Sequence, residues 1–65
     1  MKQTPAQLIE QKGAALIAER LGMNVVAVRM WKSRNRIPRS AWPELAQHFP
    51  ELTQDVLRAV EKAAA

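Results

Sequence analysis

The side chains in this sequence that could carry chemistry are mainly cationic and lie in one central segment. Between residues 20 and 43 there are six basic residues and no acidic residue: Arg20, Arg29, Lys32, Arg34, Arg36 and Arg39. Residues 1–19 balance two cations with two acids, and residues 44–65 carry four acids and two cations. Guanidinium and ammonium groups bind phosphate and carboxylate oxygens. Because the excess charge is concentrated in one segment, we expect a positive face and a polyanionic partner.

Other reactive chemistry is sparse. The chain has no cysteine and one histidine, His48, so neither disulfides nor a classical zinc site is expected. Glu44, His48 and Glu51 form the one acid/base cluster along the sequence, and no nucleophile or glycine-rich phosphate loop lies near them. We therefore expect no enzyme activity and no cofactor, and we interpret His48 as a helix-end residue without chemistry.

The length of 65 residues predicts a single domain over residues 1–65, close to the size at which one core is only marginally stable. Dimerisation would stabilise such a chain. The apolar stretches are too short to span a membrane, and the first residues lack a signal-peptide pattern. We therefore expect a cytoplasmic protein.

The sequence predicts an all-α domain of four or five helices, and these helices must position the cationic residues. Hydrophobic spacing and helix-boundary residues place these helices at 5–12, 14–21, 25–33, 41–48 and 54–63. Thr4, Asn24, Ser40 and Thr53 are predicted N-caps, because their side-chain oxygens can accept from free backbone N–H groups. Gly22 is predicted to end the second helix in a left-handed conformation.

Apolar residues at helical spacing predict the core. They are Leu8, Ile9, Ile17, Ala18, Leu21, Val28, Trp31, Trp42, Leu45 and Phe49. Val56, Leu57 and Val60 form the apolar face of the fifth helix. The two tryptophans could instead be stacking platforms for the bases of a single-stranded nucleic acid. We favour the core interpretation, since a chain with one phenylalanine needs both for packing.

The spacing of four residues in the second and third helices resembles that of the Cro/C1-type (lambda-repressor-like) helix-turn-helix family of phage and bacterial regulators. A small residue, a turn glycine, an aliphatic residue and a large apolar residue stand at Ala18, Gly22, Val28 and Trp31. The resemblance covers about residues 12–49, including Pro38 and the Trp42-Pro43 pair. Ala14 departs from the pattern, since many relatives have glutamine there. The valines at 25 and 26 also depart from it, since a polar residue commonly opens the third helix.

The resemblance implies that the third helix enters the major groove of double-stranded DNA. By position, the residues that would face the bases are Val25, Val26, Arg29 and Met30. Arg29 suits a bidentate contact to guanine, and the valines suit thymine methyl groups. The resemblance and the charge together assign phosphate contacts to Lys12, Asn24, Lys32, Arg34, Asn35, Arg36 and Arg39.

The family resemblance also implies a transcriptional regulator, acting in the bacterial or phage-infected cell and associated with the nucleoid. We expect a Cro-like repressor, because no segment remains outside the DNA-binding domain to recruit polymerase. A homodimer on a palindromic operator is expected, with half-sites about one helical turn apart. The candidate dimer surface is formed by Leu52, Val56, Leu57 and Val60.

One alternative stays open at this point. The third helix could bind a partner protein through Val25, Val26 and Met30, with the basic loop against an acidic surface, as in an adaptor or a phage-type inhibitor. The basic run after the third helix favours DNA, because a protein-docking module has no special need for it.

Overall fold

Five α-helices and one short 3-10 turn form the fold. The computed structural model describes residues 3–64. The helices are α1 (Pro5–Lys12), α2 (Ala14–Leu21), α3 (Val25–Arg34), α4 (Trp42–His48) and α5 (Gln54–Ala63), with the 3-10 turn at Arg39–Ala41. No strand occurs within the described range. The prediction of an all-α fold is confirmed.

The N-terminal ends of three helices are held by side-chain caps, as predicted. Thr4 Oγ1 accepts from the N–H of Gln7 at 3.3 Å, and Gln7 Oε1 accepts from the N–H of Thr4 at 3.0 Å, which makes a reciprocal capping box. Asn24 Oδ1 accepts from the N–H of Val26 at 2.8 Å and starts α3. Thr53 starts α5 in the same way. These caps explain why α1, α3 and α5 begin where the sequence predicts.

The predicted cap of the fourth helix is wrong. Arg39–Ala41 form a 3-10 turn, α4 begins at Trp42, and Ser40 does not cap it. The N–H of Ala41 donates to the carbonyl oxygen of Pro38 at 3.0 Å, so the chain is already turning before α4 starts. A cap at Ser40 would have needed the N–H groups two or three residues later, and Pro43 has none.

Left-handed residues end α2 and α3. Gly22 has φ 65° and ψ 37°, and the N–H of Met23 donates to the carbonyl oxygen of Ala18 at 2.9 Å. Asn35 has φ 54°, and the N–H of Arg36 donates to the carbonyl oxygen of Trp31 at 3.0 Å. Both ends follow the Schellman pattern, which satisfies carbonyl groups that a helix otherwise leaves free. As a result α3 extends one residue beyond its predicted end.

One apolar core joins the helices. Its buried residues are Leu8, Ile9, Ile17, Ala18, Val28, Ile37, Trp42, Leu45, Phe49, Leu52, Leu57 and Val60. Trp31 and Leu21 are partly buried at its edge. Val56, on the predicted apolar face of the fifth helix, is 38% exposed, and Ile37, which follows the basic run, is buried.

The helix contacts leave one side of α3 uncovered. α3 packs against α1 and α2, while α5 packs against α1 and α4 and does not touch α3. None of the helices in the described range is long and apolar enough to cross a membrane.

Candidate nucleic-acid interface

The outward side of α3 carries a line of four exposed residues. Val26, Arg29, Met30 and Ser33 follow the i, i+3, i+4, i+7 spacing that places side chains on one helix face. Val28 lies on the opposite face and is fully buried in the core. We call this set the α3 line. Of its members, the sequence assigned Val26, Arg29 and Met30 to the bases and missed Ser33, which helical spacing from Arg29 and Met30 would have indicated.

The two most exposed large apolar side chains of the described residues lie on the α3 line. Val26 is 54% exposed and Met30 is 45% exposed. Val25 differs from them, because it is partly buried and packs against the core. Val25 therefore helps to hold α3 on the domain, and its assignment to the bases stays a prediction.

Four cations lie on α3 or just after it and form no ion pair with a described residue, although the charge of Arg36 also helps to lower the pKa of Glu61. They are Arg29, Lys32, Arg34 and Arg36, and all four are exposed. The ion pairs found within residues 3–64 involve other cations. Because Arg34 is the last residue of α3 and Arg36 follows the turn at Asn35, the free charge is concentrated at the C-terminal end of α3.

Lys12, which the sequence assigned to phosphate, has a carboxylate partner. Its Nζ lies 2.6 Å from Glu51 Oε2 and 5.8 Å from the centre of the Phe49 ring. The hydrogen bond from Lys12 is the main reason that the pKa of Glu51 is lowered. Lys12 therefore connects the end of α1 to the segment before α5.

Arg39 also has a carboxylate partner. Its Nη2 and Nε lie 2.8 Å and 3.3 Å from the two carboxylate oxygens of Glu61, a bidentate arrangement. The guanidinium also lies over the Trp42 ring, 5.4 Å from its centre. The hydrogen bond with Arg39 lowers the pKa of Glu61, and the same bond raises the pKa of Arg39. Arg39 is thus held toward α5.

Two asparagines predicted to bind phosphate have structural roles. The side-chain oxygen of Asn24 caps α3. The Oδ1 of Asn35 accepts from the N–H of Ala6 at 2.9 Å, which links the end of α3 to the first turn of α1. This contact holds the side-chain oxygen of Asn35 and the left-handed turn holds its backbone, so Asn35 has a structural role, and its assignment to phosphate stays a prediction.

The predicted dimer surface also needs correction. Leu52, Leu57 and Val60 are 3%, 2% and 4% exposed and belong to the core of the single chain. A second copy cannot contact these side chains while that core is intact. Val56 is the one member of the predicted set that reaches the surface.

The remaining candidates have no free reactive groups. Trp42 is buried in the core and Trp31 packs against its edge, which supports the prediction that both tryptophans serve packing. His48 ends α4 and is partly buried. Within residues 3–64, no three histidine or acidic side chains are grouped in a way that could hold a metal ion.

Comparisons with protein-family models, with curated proteins and with solved structures find no match for this chain. What the chain does must therefore be inferred from its own residues.

Proposed function

We propose that this chain binds double-stranded DNA in a sequence-specific manner, as a helix-turn-helix protein with α3 in the major groove. The observation that supports this best is the combination on α3 of one exposed arginine among apolar side chains with three further free cations at its C-terminal end. A major groove about 12 Å wide admits an α-helix. Contacts to phosphate position such a helix, and contacts to base edges specify the sequence.

In this proposal the two groups of residues have different tasks. Arg29 lies in the middle of the α3 line and has the donor geometry for guanine O6 and N7. Lys32, Arg34 and Arg36 bind phosphates beside the groove. Lys12 and Arg39 are not needed for this, since each already has a carboxylate partner.

The regulatory role follows from the resemblance to Cro-like regulators. We infer a repressor that occludes a promoter by binding a palindromic operator as a homodimer. With Leu57 buried, the dimer is best probed at exposed Val56, because Val56→Asp adds a charge without opening the core. Sedimentation should then shift from dimer to monomer. An unchanged dimer mass would show that the contact lies elsewhere, and a wild-type monomer in the presence of its operator would refute the dimer.

Salt dependence tests the DNA-binding proposal directly. A fluorescence-anisotropy titration of a random duplex at several salt concentrations measures how many phosphates are neutralised. Three cations predict a log–log slope of about −2.7 per chain, because each phosphate contact contributes about −0.9. If Lys12 and Arg39 also bound phosphate, the slope would be about −4.5 per chain. No binding at low salt would refute the proposal.

Three variants separate the proposed roles. Arg36→Ala should weaken all duplexes alike and reduce the slope by about one. Arg29→Ala should cost roughly 1–3 kcal/mol on the selected site and relax the base preference at one position. Arg58→Ala is the matched control, because Arg58 is an exposed cation on α5, which does not touch α3. An equal loss on specific and random DNA in Arg29→Ala would contradict its assignment to a base.

A second candidate function is supported by the exposure of Val26 and Met30. Exposed large apolar side chains on one helix face are typical of protein-docking helices. In that case α3 binds a partner protein, and affinity for duplex DNA is weak at any salt concentration. The same titration therefore distinguishes the two functions.

A further inference from the structure

The α3 line combines one strong hydrogen-bond donor with two apolar side chains, and this combination limits what it can read. Arg29 lies three residues after Val26 and one before Met30, and all three are exposed. Neither Val26 nor Met30 can make a strong hydrogen bond. The remaining polar side chain of the line is the hydroxyl of Ser33.

Base edges in the major groove offer one bulky apolar group, the C5-methyl group of thymine, whereas cytosine carries only a hydrogen on the same ring carbon. The other groups exposed there are the acceptors of guanine and adenine, the amino groups of adenine and cytosine, and the O4 of thymine. An apolar side chain pressed against an amino group removes its water without replacing the hydrogen bond, which is unfavourable. Val26 and Met30 therefore favour a methyl group over every other partner in the groove.

The spacing of the α3 line fits neighbouring base pairs. A rise of about 1.5 Å per residue places Val26 and Arg29 about 4.5 Å apart along the helix axis, and Val26 and Met30 about 6 Å apart. Successive base pairs are about 3.4 Å apart. The three side chains thus span no more than about two base-pair steps, so a methyl group read by Val26 or Met30 lies beside the guanine read by Arg29.

We propose that the α3 line recognises a pyrimidine with a C5-methyl group next to a guanine. This inference rests on the proposed DNA-binding function and specifies its substrate. Because 5-methylcytosine carries its methyl group on the same ring carbon as thymine, the chain should distinguish 5-methylcytosine from cytosine as well as thymine from uracil. Methylation of cytosine in the site would then strengthen binding.

The test uses a duplex selected from a random library by the full chain. Each thymine is replaced in turn by uracil, which removes one methyl group and keeps base pairing. Burial of one methyl group predicts about fourfold weaker binding at one or two positions, next to the guanine whose preference is lost in Arg29→Ala. Thymine to uracil changes elsewhere should have no effect. At the same positions, a 5-methylcytosine duplex should bind about fourfold more tightly than the cytosine duplex.

Protein variants assign the methyl effect to its residues. At the position that each residue reads, Val26→Ala and Met30→Ala should reduce the ratio of the affinities for the thymine and uracil duplexes toward one. The circular dichroism spectrum of each variant should match that of the wild type. Leu16→Ala should keep the ratio, because Leu16 is a comparably exposed apolar residue on α2 outside the α3 line. A methyl effect that persists at the same position in both α3 variants would overturn the assignment.

The two levels of the proposal fail in different ways. Specific binding with equal affinity for thymine and uracil at every position would refute methyl recognition and leave the DNA-binding function intact. Absence of binding to any duplex at low salt would refute the function and the inference together.

Discussion

Asn35 provides a test that separates a structural role from a DNA-contacting one. Its side-chain oxygen accepts a hydrogen bond from the N–H of Ala6, and its backbone is left-handed with φ 54°. Asn35→Ala removes the hydrogen bond and forces an alanine into that conformation. Asn35→Gly removes the same hydrogen bond but adopts a positive φ readily. The pair of variants therefore separates the two contributions.

The expected magnitudes follow from these two contributions. Loss of the hydrogen bond to the partly buried N–H costs about 1–2 kcal/mol. A left-handed conformation costs a residue with a Cβ roughly 1–2 kcal/mol. We therefore expect Asn35→Ala to lower the free energy of unfolding by about 2–4 kcal/mol and Asn35→Gly by about 1–2 kcal/mol. Domains of this size have a total stability of only several kcal/mol, so the alanine variant should be severely destabilised.

Urea unfolding followed by tryptophan fluorescence is a suitable assay, because Trp42 is buried and Trp31 is partly buried in the folded chain. Thermal unfolding gives a second readout, in which each kcal/mol lowers Tm by about 4–8 °C in a domain of this size. Asn35→Gly, which should remain folded, is then titrated with duplex DNA. If the role of Asn35 is purely structural, the affinity of Asn35→Gly for duplex DNA should match that of the wild type under conditions where both are folded.

Two results would refute this reasoning. Equal stability of the alanine and glycine variants would show that the left-handed conformation carries no cost at this position. Wild-type stability of Asn35→Gly, together with a uniform loss of affinity for all duplexes, would restore the phosphate contact that the sequence predicted.

Two further predictions concern the turn at Gly22 and the ion pair of Glu61. Gly22→Ala should lower the free energy of unfolding by about 1–2 kcal/mol, and conformational strain alone should cause this loss, because an added Cβ would meet no atom within 4 Å. Gly22→Asn should cost less, since asparagine adopts the left-handed conformation more readily. Equal losses for the two variants in urea unfolding would argue against strain. Glu61→Gln should release Arg39 and steepen the salt slope of DNA binding by about one. Glu44→Gln is the control, because it makes the same charge change at an exposed carboxylate that forms no ion pair with a described residue. This variant should leave the slope unchanged. Because the pKa of Glu61 is lowered in the folded chain, its ion pair stabilises the fold above pH 4.5, and this stabilisation is lost as the pH falls further. The free energy of unfolding of Glu61→Gln should therefore depend less on pH below 4.5 than that of the wild type. An equal pH dependence of the two proteins would contradict the pairing.

The helices could be predicted from the sequence because their boundaries depend on local interactions. Thr4, Asn24 and Thr53 cap through N–H groups two or three residues away, and Gly22 ends α2 through its own backbone. The predicted cap at Ser40 is wrong, although capping is also a local interaction. There, the turn that begins at Pro38 takes the place of a side-chain cap.

The partners of three candidate phosphate-binding residues could not be predicted from the sequence, because they lie far away along the chain. Asn35 bonds to a residue 29 positions away, Lys12 to one 39 away and Arg39 to one 22 away. Each of these residues has a type that suits a phosphate contact, and only the folded arrangement supplies the competing partner. The excess of acids in the last 22 residues was the one available signal that some cations would be paired.

Paired and free cations differ in what they contribute to binding a polyanion. A free cation that reaches a phosphate allows a counterion condensed on the DNA to leave, and that release produces the salt slope. While Arg39 stays paired with Glu61 it reaches no phosphate, so it releases no counterion from the DNA and adds nothing to the slope. The slope then counts Lys32, Arg34 and Arg36. Glu61→Gln removes the carboxylate that competes with a phosphate for Arg39, and for that reason the slope of this variant, more than its affinity, shows whether Arg39 reaches a phosphate.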